Sequence, residues 1–423
     1  MVQVRKMLDG NGAAAEALRL ARVRVVAAYP ITPQSPIAES LAGWVLEGSL
    51  EARYVRVESE HSALSCVIGT QLTGVRAATA TSSVGLAYMH EVLGVAAGCR
   101  LPIVMPVVNR ALVSPWSLWC DHGDAMSVRE AGWVQLYATN AQECLDLVVL
   151  AYRVCEDERV LLPAMVCMDG FFVSHATEPV LVPDQAAVDR FVGSYLPRNL
   201  VLDVDRPMFV NDLTPPEDFT EMRFQQKCAL EAVTSVWPEV AGEFARLFGR
   251  SYGLIEADGV EGARAVLVVL GSAAGTARQV AGGLRRQGKP VGVLRICCFR
   301  PFPFRALREA LADVPVIGVL DRSAGLGAEG GPVLVETRSA LAPQGGTGGG
   351  RPQTVVGFVA GLGGRDITPA TLERALSSLL EVAEGALPWE GSRWMDLGPD
   401  PFAIRVFPPG GTGGREGGGS QCL

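Results

Sequence analysis

No Cys-x-x-Cys pair occurs in this chain, although it carries 10 cysteines. Cys66, Cys99, Cys120, Cys144, Cys155, Cys167, Cys228, Cys297, Cys298 and Cys422 are scattered, which excludes a zinc ribbon or a ferredoxin-type cluster and suits a reducing compartment. Cys167 and Cys297 lie in apolar runs and read as core. The 4 histidines (His61, His90, His122, His175) show no ligand spacing. Lysine is reduced to Lys6, Lys227 and Lys289 against many arginines, which reads as composition bias and not as function. The net charge is −8 with no basic block, which argues against nucleic acid as the main partner. No apolar run is long enough to span a membrane, and no apolar stretch follows Arg5 and Lys6 as a signal peptide requires. A cytoplasmic location is expected.

What is present is a globular chain of 423 residues, 48% hydrophobic and 19% charged, long enough for two or three domains. One stretch organises the rest: Val25-Val26-Ala27-Ala28-Tyr29-Pro30-Ile31-Thr32-Pro33-Gln34-Ser35-Pro36. Its apolar start reads as a strand buried on both faces. Pro30, Pro33 and Pro36 forbid continuation and stiffen the turn, and Ser35-Pro36 opens a helix. Thr32 is thereby held just past the C-terminal end of a strand, where open α/β sheets bind ligands. Taken alone, the stretch also reads as a proline-rich connection with no ligand.

Strands and helices alternate through the first 185 residues, so a doubly wound parallel-sheet α/β domain is expected there, with polar residues at four strand ends: Thr32, Glu58/Glu60, Ser82/Ser83 and Asn109/Arg110. Residues 186–260 read as a connector with a helical arm that breaks at Pro238. A second α/β unit is expected over 261–385, with Ser272 as a helix N-cap, Pro290 to Cys298 as a strand, and Phe299 to Pro303 as a packed turn. Residues 386–423 form a tail, expected to be disordered from about residue 410, where Gly dominates.

Nine ordered segments together resemble one family. They are Tyr29-Pro30-Ile31-Thr32-Pro33, Glu58-Ser59-Glu60-His61-Ser62-Ala63, Thr79-Ala80-Thr81-Ser82, Asn109-Arg110, Trp116-Ser117-Leu118-Trp119-Cys120-Asp121-His122, Met168-Asp169-Gly170-Phe171, Phe299-Arg300-Pro301-Phe302-Pro303, Asp321-Arg322-Ser323 and Gly361-Leu362-Gly363-Gly364-Arg365-Asp366. Spread over roughly Val2 to Val382, they resemble the alpha subunit of multi-subunit pyruvate:ferredoxin oxidoreductases (pyruvate synthases). The resemblance implies a thiamine diphosphate enzyme split across chains. The first domain corresponds to the pyrimidine-binding half and the second unit to a transketolase C-terminal-like domain, for which a docking role between subunits is favoured. A beta subunit is implied to hold the diphosphate and Mg through a Gly-Asp-Gly motif that this chain lacks; Asp121-His122-Gly123-Asp124 is not that motif. Ferredoxin-like delta and gamma subunits are implied to carry the [4Fe-4S] clusters. Pyruvate, CoA and ferredoxin are the implied substrates.

The resemblance also assigns roles. The cofactor's aminopyrimidine ring needs a carboxyl in a dry pocket to share a proton with. Glu60 matches the family's cofactor glutamate, with Glu58 as competitor and a solvated helix-start Glu as the plain alternative. Arg110 matches the substrate arginine, suited to a 2-oxo acid carboxylate; a surface arginine is its plain alternative. Thr32 would donate its hydroxyl to the substrate, and Pro30 would set a backbone carbonyl near the cofactor ring. The Gly325 to Gly331 loop resembles anion-binding loops only weakly. The competing readings are a branched-chain 2-oxo acid or 2-oxoglutarate enzyme, a non-catalytic scaffold paralogue, and a transketolase-like enzyme.

Overall fold

Short runs of Val, Ala and Ile closed by Gly, Pro or Ser become buried strands, and the alanine-rich stretches between them become helices. In the computed structural model, which describes residues 3–198, 201–342, 353–389, 391–399 and 401, the first half runs β1 (Gln3–Leu8), α1 (Gly10–Leu20), β2 (Val25–Ala28), α2 (Ser35–Leu46), β3 (Arg53–Arg56), α3 (Glu60–Gln71), β4 (Ala77–Ala78), α4 (Ser83–Tyr88), α5 (His90–Gly98), β5 (Val104–Asn109), α6 (Gly123–Ser127), β6 (Val134–Ala138), α7 (Ala141–Cys155), β7 (Ala164–Asp169), β8 (Glu178–Pro183) and α8 (Gln185–Val192). The long helix α9 (Pro216–Phe248) leads to β9 (Ile255–Asp258), β10 (Ala265–Leu270), α10 (Ala273–Arg286), β11 (Val291–Ile296), β12 (Cys298–Arg300), α11 (Phe304–Leu311), β13 (Val316–Asp321), α12 (Pro332–Leu341), β14 (Thr354–Val359), α13 (Pro369–Ala383) and β15 (Ser392–Trp394). The Gly-rich break at 344–351 and the tail beyond 410 lie outside the described residues.

In the first sheet β2 lies between β3 and β4, and β7 between β5 and β6, all parallel. A parallel bridge between Thr81 and Val107 joins the two sets, so the C-terminal ends of β2, β4, β5 and β7 share one edge. Successive strand residues face opposite cores. Val26, Val108 and Val166 pack with α1 and α7 on one face, while Ala27, Val107 and Cys167 pack with α3 and α5 on the other. The expected doubly wound α/β domain is what forms. The second sheet has the order β15-β14-β13-β10-β11-β9, with β9 antiparallel to β11. Its Val266, Val268, Ile317 and Val319 share a core with Leu64, Leu93 and Trp133 of the first unit, so no solvent layer separates the two.

Two expectations are corrected. Pro238 does not break the arm: α9 continues through it. Val233, Val236, Trp237, Val240 and Phe244 are buried on both sides of the proline, and the Trp237 indole donates to the Tyr252 carbonyl at 2.8 Å. That packing outweighs the ~3 kcal/mol a helix-interior proline costs. The strand expected from Pro290 to Cys298 ends at Ile296, and Cys298–Arg300 crosses to the first sheet as β12, antiparallel to β6. The second unit thus covers an edge of the first, and the run from Phe299 is strand before it is turn.

Arg295 fastens this crossing. It is fully buried and donates to Glu143 Oε1 at 2.8 Å, to Glu256 at 3.1 Å and to the Tyr137 carbonyl at 3.0 Å. It therefore ties β11 to α7, β9 and β6. Removing one partner of a buried ion pair leaves an uncompensated charge. Glu143→Ala is therefore expected to lower the stability of the folded chain by about 3–5 kcal/mol, read from urea denaturation, and Glu143→Gln by less.

Candidate active site

The turn after β2 is pinned from three sides. Gln34 donates its side-chain amide to the Tyr29 carbonyl at 3.0 Å, and Asn11 of α1 donates to the Pro33 carbonyl at 3.0 Å. Gly170 lets Pro33 approach, since a Cβ there would sit 2.5 Å from the Asn109 carbonyl oxygen and 3.0 Å from Pro33. The third side is Arg110. From the end of β5 it donates Nη1 to the Thr32 carbonyl at 3.0 Å and Nε to the Ser117 carbonyl at 3.0 Å. Arg110 is 5% exposed and has no ion pair among the described residues, so burial lowers its pKa while Asp124 partly restores it. Thr32 and Pro30 remain exposed, and the Thr32 hydroxyl has no hydrogen-bond partner among the described residues.

Glu60 opens α3. Ser59 caps that helix by accepting from the Ser62 amide at 3.1 Å. The strand before it ends at Arg56, so Glu58 does not lie on a strand face beside Glu60: it is exposed and bound to the Ser62 hydroxyl, whereas Glu60 is buried. Glu60 receives no hydrogen bond among the described residues and lies against Gly85 of α4. A Cβ on Gly85 would stand 2.7 Å from Glu60 Oε1 and 2.6 Å from Thr81 Oγ1. The hydroxyls of Thr81 and Ser82 are themselves buried without a partner among the described residues.

Sequence reasoning missed the carboxylates that hold these parts together. Asp124 is fully buried; its Oδ2 accepts from the amides of Ser83 (2.9 Å) and Arg110 (3.0 Å), and its Oδ1 from Asn109 Nδ2 and the Ala125 amide, each at 2.8 Å. Burial pushes its pKa up to about 6 against the pull of these donors. Helix α6 starts only after His122, whose amide is turned to donate to the Arg322 carbonyl at 2.8 Å. Asp169, at the end of β7, takes His122 Nε2 at 2.7 Å on one oxygen and Arg322 Nη1 at 2.9 Å on the other. The Ser272 amide and hydroxyl also reach it, so Ser272 points to Asp169 instead of capping α10. Burial alone would raise the Asp169 pKa, but the charges of His122 and Arg322 hold it well below the usual carboxylate range. Cys120, His122 and Asp169 bring donor atoms within 4.8 Å of one another. The positive charge opposite Asp169 comes from the Arg322 guanidinium.

The Gly325 to Gly331 loop ends against the chain's own Asp321, since a Cβ on Gly331 would stand 2.1 Å from the Asp321 carboxyl carbon. Asp321 accepts from the Val333 amide at 2.9 Å and the Leu334 amide at 3.0 Å, which occupies the start of α12. Burial raises its pKa to about 7. Both Asp124 and Asp321 thus bind a proton in the folded state at a pH where the unfolded chain has released it. Their contribution to stability is full below about pH 4 and is lost as pH rises through 6 and 7. Asp169 acts oppositely: its contribution is present above pH 4 and lost as pH falls below that. The urea midpoint is therefore expected to rise from pH 8 to pH 5 and to fall below pH 4, with a smaller rise in Asp321→Asn.

Comparison with known proteins agrees with this architecture. Residues 16–241 match the family described as pyruvate flavodoxin/ferredoxin oxidoreductase, thiamine diphosphate-binding, and residues 263–372 match pyruvate:ferredoxin oxidoreductase core domain II. The pyruvate synthase subunit PorA of Methanocaldococcus jannaschii is 44% identical over 91% of this chain and 97% of its own length. The ketoisovalerate oxidoreductase subunit VorA of Pyrococcus abyssi is 42% identical over 90% of this chain and 95% of its own. The 2-oxoglutarate:ferredoxin oxidoreductase from Magnetococcus marinus shares the fold with a TM-score of 0.69 at 18% identity, over 89% of this chain and 65% of that longer one. A split-gene transketolase, at a TM-score of 0.51 and 12% identity, matches over 89% of this chain and 100% of its own. Among the described residues no helix is long and apolar enough to cross a membrane. The chain belongs to the pyruvate:ferredoxin oxidoreductase family.

Proposed function

We propose that this chain is the alpha subunit of a thiamine diphosphate-dependent pyruvate:ferredoxin oxidoreductase, which converts pyruvate and CoA to acetyl-CoA and CO2 while reducing ferredoxin, and runs reversibly. The observation that carries the reading is the pairing of the buried Arg110 with the Thr32 turn, on the sheet edge that also holds Glu60, neither Arg110 in an ion pair nor the Glu60 carboxyl in a hydrogen bond among the described residues. The residues fit the pyrimidine half of the cofactor: a buried carboxyl without a partner, two orphaned hydroxyls at Thr81 and Ser82, and a notch at Gly85 that a methyl group would fill. When bound, thiamine diphosphate supplies the electron sink for decarboxylation.

The chain's own residues act around that group. Glu60 holds and moves the proton at the pyrimidine ring nitrogen, its carboxyl being buried and receiving no hydrogen bond among the described residues. Two of the Arg110 donors are spent on carbonyls, which fixes the guanidinium plane and leaves Nη2 for the substrate carboxylate. The exposed Thr32 hydroxyl would donate to the substrate on the open side of the turn, and the exposed Pro30 would offer its carbonyl to the cofactor ring. The open edge is completed by a beta subunit that holds the diphosphate and Mg. Delta and gamma subunits carry the [4Fe-4S] clusters. The ketoisovalerate relative supports a branched-chain 2-oxo acid as second substrate reading, because pyruvate and ketoisovalerate differ by only two apolar carbons, which a pocket distinguishes by size alone.

In the assembled complex, Arg110→Ala is expected to raise the KM for pyruvate by roughly 30-fold or more, the equivalent of ~2 kcal/mol of lost carboxylate binding. Glu60→Gln should lower kcat by about 100-fold or more with an unchanged melting temperature. The chain purified alone should not decarboxylate 2-oxo acids with an artificial acceptor. Unaltered kinetics in both variants would overturn the site assignment, and turnover by the lone chain the split-site arrangement.

A further inference from the structure

We infer that Asp124 is a positioning residue that sets Arg110 and the wall of the Glu60 pocket as one unit. This rests on the roles proposed above for Arg110 and Glu60. One oxygen, Oδ2, receives both the Ser83 amide at 2.9 Å and the Arg110 amide at 3.0 Å. One amide opens α4 and the other follows the last residue of β5, and they come from residues 27 apart in the chain. Ser83 is held at φ 47°, a left-handed backbone that a residue other than glycine adopts only where its surroundings impose it. Two bonds impose it: the one to Asp124, and the Ser83 hydroxyl donating to the Ala111 carbonyl at 2.5 Å. From Ser83 the chain turns directly into α4, and Gly85 lies against the Glu60 carboxylate.

The chemistry of the acceptor matters. A carboxylate can accept four N–H groups at once, two on each oxygen, and Asp124 does. No ion pair to Asp124 exists among the described residues, so its charge is balanced by backbone and amide dipoles alone. An asparagine has the same shape but would aim an amide NH2 at one pair of donors. Whichever way it turns, its neutral amide offers the Arg110 and Ser83 amides a weaker acceptor than the carboxylate does, or none, while the cores stay intact.

The test uses Asp124→Asn in the assembled complex, with kinetics and amide hydrogen exchange measured together. Expected are a KM for pyruvate at least ten-fold higher with a smaller change in kcat, and faster exchange at both the Ser83 and Arg110 amides while β10 and β13 keep their protection. In an Arg110→Ala background the same substitution should cost less in kcat/KM than it does in the wild type, because the part that acts through the guanidinium is already lost and only the part that acts through the Glu60 wall remains. Asn109→Ala, which removes a single donor from Asp124, serves if Asp124→Asn fails to assemble, and should show the same pattern at lower amplitude. Wild-type KM and exchange in either folded variant, or full additivity with Arg110→Ala, would overturn the inference. If Arg110→Ala alone leaves KM unchanged, the substrate role of Arg110 falls, while the exchange rates still report whether Asp124 sets the two amides.

Discussion

The buried ion pair between Asp169 and Arg322 is the constraint on which the rest of this structure depends. It joins the C-terminal end of β7 to that of β13, so the two sheets meet strand end to strand end. Neither charge is more than a few per cent exposed, and both carry further bonds: Asp169 to His122 and Ser272, and Arg322 to the Gly361 carbonyl at 3.0 Å. A pair this deeply desolvated stabilises only when its remaining donors and acceptors are satisfied, and here they are. The Arg322 guanidinium also lies 4.4 Å from the Phe172 ring centre, so the second unit is seated on the first by charge and by an aromatic face.

From that pair a line of contacts runs to the candidate site. His122 is held at its ring by Asp169 and at its amide by the Arg322 carbonyl. Its fixed backbone starts α6 and delivers Asp124 to the ends of β4 and β5. Gly364 of the second unit donates its amide to the Cys120 carbonyl at 2.7 Å and packs beneath Trp119, where a Cβ would stand 2.3 Å from the Trp119 Cβ. The loop ahead of Trp119 supplies the Ser117 carbonyl that orients Arg110. The second unit therefore sets the geometry of a candidate site whose Thr32, Glu60 and Arg110 belong to the first.

Local patterns carried much of this into view. The alternation of apolar strands with small-residue helices predicts a doubly wound sheet because each strand must be covered on both faces. The prolines around Thr32 mark a strand end by steric exclusion alone. Glu60 and Arg110 are legible as polar residues near strand ends, but their roles come from the resemblance of the segments that hold them, since a solvated helix-start glutamate or a surface arginine leaves the same local pattern. Other features depend on partners distant in sequence. Pro238 looks like a helix break until the burial of Trp237 and Phe244 is seen. Ser272 looks like an N-cap until Asp169, more than a hundred residues earlier, claims its amide and hydroxyl. The loop before α12 looks open to an anion until Asp321 fills it.

By itself, the sequence determined the layer architecture, the strand ends that carry polar groups and the chemical types gathered there, since these follow from periodicity, backbone sterics and side-chain chemistry within a few residues. Only the tertiary structure decided which of Glu58 and Glu60 is buried, that Arg110 meets the Thr32 turn, that β12 crosses between sheets, and that Asp124 and Asp169 hold the parts together. The physical reason is that burial and hydrogen-bond pairing are relations between distant segments. A buried carboxylate is defined by the N–H groups and charges the fold brings to it, and no local pattern records their arrival.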